Sequence, residues 1–325
     1  MDQLFEIGRK TFDTPEFRGI TFIESEAKSI INRVPGNFLP FDWTINPYRG
    51  CSHACIYCFA RPTHTYLDMN AGRDFETKIV VKVNAPEVLR RELAAKRWKG
   101  EHIAMGTGTD PYQRAEGRYR LMRGILEALV DHRNPFSILT KGTLILRDLD
   151  LLERAAEVAP VSAAFSIGTL NEQVWRETEP GTPHPRARIE AIRTLTEAGI
   201  PVGVLMAPIL PGISDRPAQL RELVGAAIDA GATHVSPILL HLRPGVREEF
   251  LPWLEKEHPD LVERYLQMYR QPYGPKAMRE SLGRQVTALV ADAGGVRRGV
   301  EPARRFFRRD RERPRERAAE QLRLL

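Results

Sequence analysis

From Phe38 onward, short apolar or β-branched runs alternate with longer stretches whose apolar positions recur at helical spacing. Asp42 to Pro47, Lys78 to Val83, His102 to Met105, Phe136 to Thr140, Val161 to Ile167, Ile200 to Pro208 and Thr233 to Leu240 are the predicted strands. Several are almost continuously apolar, as expected of strands covered on both faces. Helices are predicted over Pro86–Trp98, along the Leu121, Ile125, Leu129 face, and over Leu149–Val158, Arg186–Ala198 and Pro217–Ala230. Gly199 and Gly231 follow the last two, where a left-handed C′ residue ends a helix. Asn171 to Pro185 is expected to be a loop. Strands separated by helices in this way make βαβ units and a parallel sheet.

Roughly six units fit between Phe38 and Leu240, so residues 38–240 are expected to form an α/β core. Residues 1–37 lack a strong period and suggest an irregular lead-in, with Thr21-Phe22-Ile23 as a candidate strand. Residues 241–296 have helical patterning over Val246–Glu257, Asp260–Tyr269 and Lys276–Ala293, broken at Tyr269–Pro275. Residues 297–325 are basic and expected to be loosely ordered.

Composition adds limits. An apolar content of 42% is ordinary for a globular chain. No apolar run approaches the ~20 residues of a membrane span. The N-terminus lacks the basic-then-apolar order of a signal peptide, so a cytoplasmic protein without membrane contact is expected. The net charge of +6 resides in the tail: Arg297 to Arg317 holds ten arginines and four acids, leaving the rest near zero. Arg304 to Arg309 interleaves arginine with Phe306 and Phe307, a pattern suited to nucleic acid and equally to a solvated helix anchored by two aromatics.

The candidate chemistry lies in Cys51-Ser52-His53-Ala54-Cys55-Ile56-Tyr57-Cys58. This stretch holds all three cysteines, spaced C-x3-C-x2-C. Three clustered cysteines form no disulfide framework. All-thiolate coordination suits an iron–sulfur cluster, whose fourth iron would stay open to a small molecule. A structural zinc site is the alternative, and would recruit His53 or His64 as fourth ligand.

The cysteine spacing, with Tyr57 before the last cysteine and a β/α body behind it, resembles the radical S-adenosylmethionine superfamily over about Asp42 to Leu240. The resemblance implies a partial (β/α)6 barrel with one [4Fe–4S] cluster on Cys51, Cys55 and Cys58. S-adenosylmethionine would chelate the open iron. One electron from a flavodoxin- or ferredoxin-like donor would release a 5′-deoxyadenosyl radical that abstracts hydrogen from substrate. It further implies cofactor contacts at Tyr57, at Gly106, Thr107, Gly108 and Thr109 after the second barrel strand, at Lys141 after the third, at Ser166 ending the fourth, at Arg186, and at Ala207 within the adenine-stacking fifth strand.

Asn46-Pro47-Tyr48-Arg49-Gly50-Cys51, Thr107 to Gln113, Thr140-Lys141-Gly142 and Pro208 to Gly212 are similar to a subgroup near spore photoproduct lyase, whose members are often labelled DNA repair photolyase. That enzyme uses a cysteine outside the cluster as hydrogen donor, and this chain has none outside residues 51–58. Tyr112 is the candidate substitute. Missing cysteines also speak against auxiliary clusters. The expected function is hydrogen abstraction from an unknown substrate, with a nucleic-acid component the first candidate. The alternatives are peptide or small-metabolite modification, or a non-enzymatic metal-binding nucleic-acid module.

Overall fold

The computed structural model describes residues 4–35 and 39–295. The described residues form eleven strands: β1 (Leu4–Thr11), β2 (Thr21–Ala27), β3 (Ile31–Arg33), β4 (Trp43–Ile45), β5 (Tyr48–Arg49), β6 (Lys78–Lys82), β7 (Ile103–Met105), β8 (Phe136–Thr140), β9 (Val161–Ser166), β10 (Val202–Ile209) and β11 (His234–Leu239). They form two sheets. One has the order β11-β10-β9-β8-β7-β4-β3. Its strands β4, β7, β8, β9, β10 and β11 run parallel, and β3 adds antiparallel beyond β4. The edge strands β3 and β11 do not pair with each other, so the barrel is partial, as the resemblance implied, and its parallel strands follow the βαβ rhythm.

The apolar strands owe their composition to this position. β7 is buried throughout, and four of the five residues of β8 are buried, because helices cover the outer face. Helix Leu149–Val158 buries Leu151, Leu152 and Ala155, and helix Pro217–Asp229 buries Leu220, Leu223, Val224 and Ala227. Both follow the i, i+3, i+4 stripe of a helix packed on a sheet.

The lead-in differs from expectation. Residues 1–37 hold β1, β2 and β3, and β1 and β2 build a second sheet ordered β1-β2-β6-β5. The run Lys78 to Val83 supplies β6 to that sheet rather than to the barrel. The periodicity of β1 is masked because nearly all of it is solvent-facing, including Phe5 and Ile7. The Asn171–Pro185 segment also differs, since Glu172–Thr178 is a helix capped by the Asn171 side chain.

The C-terminal region is helical, with helices Arg247–Glu257, Val262–Met268 and Lys276–Asp292. The first two pack Phe250, Leu254, Tyr265 and Tyr269 around Leu210, Ile213 and Leu240, with Ile56 and Tyr57 of the cysteine loop against them. The region therefore covers a flank of that loop. Among the described residues, no helix is long and apolar enough to cross a membrane.

Glycine is required where β7 leaves the sheet. Gly106 has φ +86°, and a Cβ there would collide with the Leu139 carbonyl of β8. Gly106→Ala is expected to lower unfolding stability by roughly 2–3 kcal/mol. Gly225→Ala, in open space on a helix, is expected to change it by less than about 1 kcal/mol or to stabilise. Urea unfolding midpoints of the two variants check the contrast, and equal shifts would refute it.

Candidate functional site

The cysteine loop leaves the first barrel strand and is fastened from several sides. Gly50 has φ +77°, and a Cβ there would lie 2.9 Å from the Phe75 and Lys78 carbonyls. Cys51 N donates to Phe75 O at 2.9 Å. Two turns follow, Ala54 N to Cys51 O and Cys58 N to Cys55 O, each 3.2 Å. They carry the thiols of Cys51 and Cys55 inward and leave Cys58 half-buried.

Two buried side chains hold the loop's backbone. Gln113 accepts from Ser52 N at 2.9 Å and donates to Gly50 O at 3.0 Å. Arg61 donates twice to the Cys55 carbonyl and also to the carbonyls of Ala71 and Gly72. Its charge is met by Glu76. A buried arginine that bonds carbonyls and one acid fixes a loop that would otherwise lack a regular ladder.

Burial pushes the Cys55 thiol well up, and the nearby Glu179 carboxylate raises it further. Burial likewise lifts Cys58 to about 11, with the Cys51 sulfur adding to it. A metal centre must therefore displace protons from these thiols on binding. Both histidines lie at the loop, His53 also bonded to Cys51 and His64 with its Nδ1 buried and without a hydrogen-bond partner. His53 Nδ1 lies 3.3 Å from Asp110, and His64 Nε2 is 3.0 Å from the Lys78 carbonyl. Among the described residues, no three His, Cys, Asp or Glu side chains gather closely enough to hold one metal ion. The donor set of three neighbouring thiols fits a cubic cluster, which takes one thiolate at each of three separate irons.

The rim above the loop is built by the strand ends. Asp110 ties three loops together: it accepts from Thr140 Oγ1 and Lys141 N, both at 2.6 Å, from Tyr112 N at 2.9 Å, and pairs with His53. Burial opposes its ionisation, yet His53 and these donors hold it below the usual carboxylate range.

Lys141, from the end of β8, donates to Ser166 Oγ at 2.8 Å and to Glu179 at 3.0 Å. Its ammonium sits 5.5 Å from the centre of the Tyr57 ring. Tyr57 in turn donates its hydroxyl to Glu179. Arg188 is buried and pairs with the other Glu179 oxygen, while also donating to Ser166 O at 3.0 Å. Burial disfavours the Glu179 charge, but Arg188 and Lys141 outweigh it and hold the carboxyl far below its ordinary range. The turn that carries Glu179 lies directly on the cysteine loop: Ile56 N donates to Thr178 O at 3.1 Å and Gly181 N to His53 O at 3.0 Å. A Cβ at Gly181 would drive into the Ser52 carbonyl.

Tyr57, Lys141, Ser166 and Ala207 of the expected site residues come together here, with Ser166 Oγ donating to Ala207 O at 3.0 Å. Gly106, Thr107 and Gly108 lie at the same rim, and Gly108 N donates to Asn46 Oδ1 at 3.0 Å. Thr109 is committed elsewhere, its hydroxyl donating to the Tyr48 carbonyl at 3.0 Å. Arg186 does not join the cluster. It is exposed and pairs with Glu222, because the start of helix Pro185–Glu197 turns it outward. Tyr112 is also not placed as a hydrogen donor. It is a buried core ring whose hydroxyl donates to Asp148 at 3.2 Å.

Sequence reasoning passed over Glu179, Arg188, Gln113 and Arg61. A signal existed for Arg188. It shares the apolar stripe of its helix with Ala191, Ile192 and Leu195, and an arginine on a buried face requires a partner. Arg304 to Arg309 lie outside the described residues.

Comparison with known proteins agrees with this geometry. The Radical SAM superfamily profile matches residues 45–224. An uncharacterised protein of Mycobacterium tuberculosis (strain ATCC 25618 / H37Rv) is 51% identical over 279 residues, 85% of this chain and 82% of that one. A radical SAM Nalpha-GlyT isomerase of Pseudomonas phage M6 is 28% identical over 194 residues, 58% of this chain and 37% of that one. Among solved structures, a spore photoproduct lyase variant with bound AdoMet and dinucleoside spore photoproduct shares the fold. Its TM-score is 0.62 at 16% identity, over 89% of this chain and 85% of that one. The profile match spans the cysteine loop and the rim from Gly106 to Ala207, and the chain belongs to the radical SAM superfamily.

Proposed function

We propose that Cys51, Cys55 and Cys58 hold a [4Fe–4S] cluster, and that Lys141, Glu179 and Ser166 hold S-adenosylmethionine beside it. When bound, the cluster supplies the electron that cleaves the cofactor's sulfonium and releases the radical that takes hydrogen from substrate. Enzymes of this superfamily take that electron from an external one-electron donor.

The observation that carries this reading is the charge cluster fastened to the cysteine loop. Glu179 is one buried anion, and Lys141 and Arg188 are two buried or nearly buried cations beside it. The excess positive charge suits the carboxylate of a methionyl group, while Glu179 is an acceptor for its ammonium. Arg188 keeps Glu179 ionised and oriented without being needed for direct contact. Tyr57 ties Glu179 to the cysteine loop through its hydroxyl.

Hydrogen return by a cysteine thiol is not available to this chain, because its three cysteines are the proposed ligands. The substrate radical must be resolved by another route, such as return of hydrogen from 5′-deoxyadenosine or from a donor outside the chain.

Anaerobic reconstitution is expected to load iron and sulfide in equal amounts, and dithionite is expected to release 5′-deoxyadenosine from S-adenosylmethionine. Cys58→Ala should lose both. Stoichiometric zinc with no cofactor cleavage in the wild type would overturn the assignment. Lys141→Met is expected to weaken S-adenosylmethionine binding by about 30-fold, the loss of about 2 kcal/mol from a charge-assisted contact. Calorimetry on the reconstituted protein reads it, and unchanged affinity would remove Lys141 from the site.

A further inference from the structure

Beyond the last barrel strand the chain forms a seam with unusual charge. Leu240 follows β11 and donates to Ile209 O at 3.0 Å, so residues from 241 onward start at the same rim as Ser166 and Ala207. There Leu242 N donates to Pro272 O at 2.8 Å, and His241 bridges Tyr273. This brings two segments together, residues 240–247 and 269–280. They contain Arg243, Arg247, Arg270, Lys276 and Arg279 against a single acid, Glu280.

That acid is spent on Lys276, at 3.7 Å. Among the described residues, Arg243, Arg270 and Arg279 have no carboxylate within ion-pair distance. Arginines at the cysteine loop and in the core, such as Arg61, Arg147 and Arg188, are paired, and what marks the seam is three cations gathered on two adjoining segments with one acid between them. The neighbouring Glu248 is occupied by Gly245 N. Burial lowers the His241 imidazole, and the charges of Arg243 and Arg279 lower it further, so both guanidiniums act on one ring.

Aromatic surface is interleaved with these cations. Tyr273 is 43% exposed. The Arg243 guanidinium lies over its ring at 5.2 Å, and the His241 ring meets its edge at 4.8 Å. The seam also borders the cysteine loop's continuation, since a Cβ at Gly245 would lie 2.6 Å from Pro62. Unneutralised cations beside an exposed aromatic face match a chain of phosphates with unstacked bases. Arg243 also donates to the Tyr273 hydroxyl, so cation and ring are held together; an acidic peptide would satisfy the charge but would leave the exposed Tyr273 face without a planar partner.

We propose that the seam of His241, Arg243, Arg270, Tyr273 and Arg279 binds single-stranded nucleic acid and presents it to the mouth of the barrel. This deepens the proposed function by naming a substrate class, and it rests on that function only for the chemistry, not for the binding. Arg243, Arg270 and Arg279 contact phosphates, and Tyr273 stacks a base. A nucleotide must be out of the helical stack for a buried radical site to reach it, which is why a single strand suits the seam better than a duplex.

The test is fluorescence anisotropy of the full-length reconstituted protein with a labelled mixed-sequence oligonucleotide, across salt concentrations and without reductant. Single-stranded binding is expected for the wild type. The double variant Arg243→Gln/Arg279→Gln should bind at least about 10-fold more weakly. Its plot of log affinity against log salt should be shallower by about 1.4, two phosphate contacts at about 0.7 each. Tyr273→Ala should weaken binding about 5- to 100-fold with the salt slope unchanged. Arg193→Gln, an exposed arginine paired with Glu190 elsewhere on the surface, should match the wild type. A wild type that binds no oligonucleotide, a double variant with unchanged slope, or equal affinity for a duplex of the same sequence would each overturn the proposal. Release of 5′-deoxyadenosine is scored in a separate assay, so loss of the proposed cofactor chemistry and loss of the proposed substrate class are told apart.

Discussion

The contact on which the site depends is the docking of the Thr178–Thr182 turn onto the cysteine loop. Two backbone hydrogen bonds, Ile56 to Thr178 and Gly181 to His53, join segments more than a hundred residues apart. The turn brings Glu179 with it. A buried carboxylate without partners would be costly, and Arg188, Lys141 and Tyr57 remove that cost. Each partner comes from a different element: a helix after β9, the end of β8, and the cysteine loop itself. The charge cluster is therefore a tertiary clamp. It holds the loop where the strand ends converge.

The same constraint explains the surrounding polar core. Asp110 joins the second and third strand ends to His53, and Gln113 and Arg61 bind the loop's backbone. Farther in, Glu116 accepts from Tyr48 at 2.5 Å and pairs with Arg147 at 2.6 Å, while Asp148 takes Tyr112 and Arg147. Such fully paired networks hold irregular loops in one arrangement. They explain why Tyr112, which lies beside the rim in sequence, belongs to the core in space. They also explain why Thr109 spends its hydroxyl on a carbonyl.

Much of the architecture was legible. Central barrel strands such as β7 and β8 announced themselves because both faces are covered, which makes their apolar runs continuous. Helix ends at Gly199 and Gly231 were visible because only glycine takes the left-handed position at low cost, and both have positive φ. The second sheet was not legible. β1 is exposed along most of its length, so no alternation marks it, and β6 has the same apolar signature as a barrel strand while pairing with β2. Strand composition reports burial, and it does not name the neighbour.

At the site the division is sharper. The three cysteines and their spacing are local facts, and local facts survive without a fold. Lys141, Ser166 and Tyr57 were reachable because each stands beside a strand end or a cysteine. Glu179 and Arg188 required the fold: their roles come from a turn and a helix face brought to the loop from far along the chain. Arg186 and Arg188 differ by two residues, which on a helix is more than half a turn, so one meets solvent and the other the core. By itself, the sequence determined which side chains have the chemistry and which strands lie inside. Only the tertiary structure decided which charges meet, because that depends on long-range packing that no local spacing encodes.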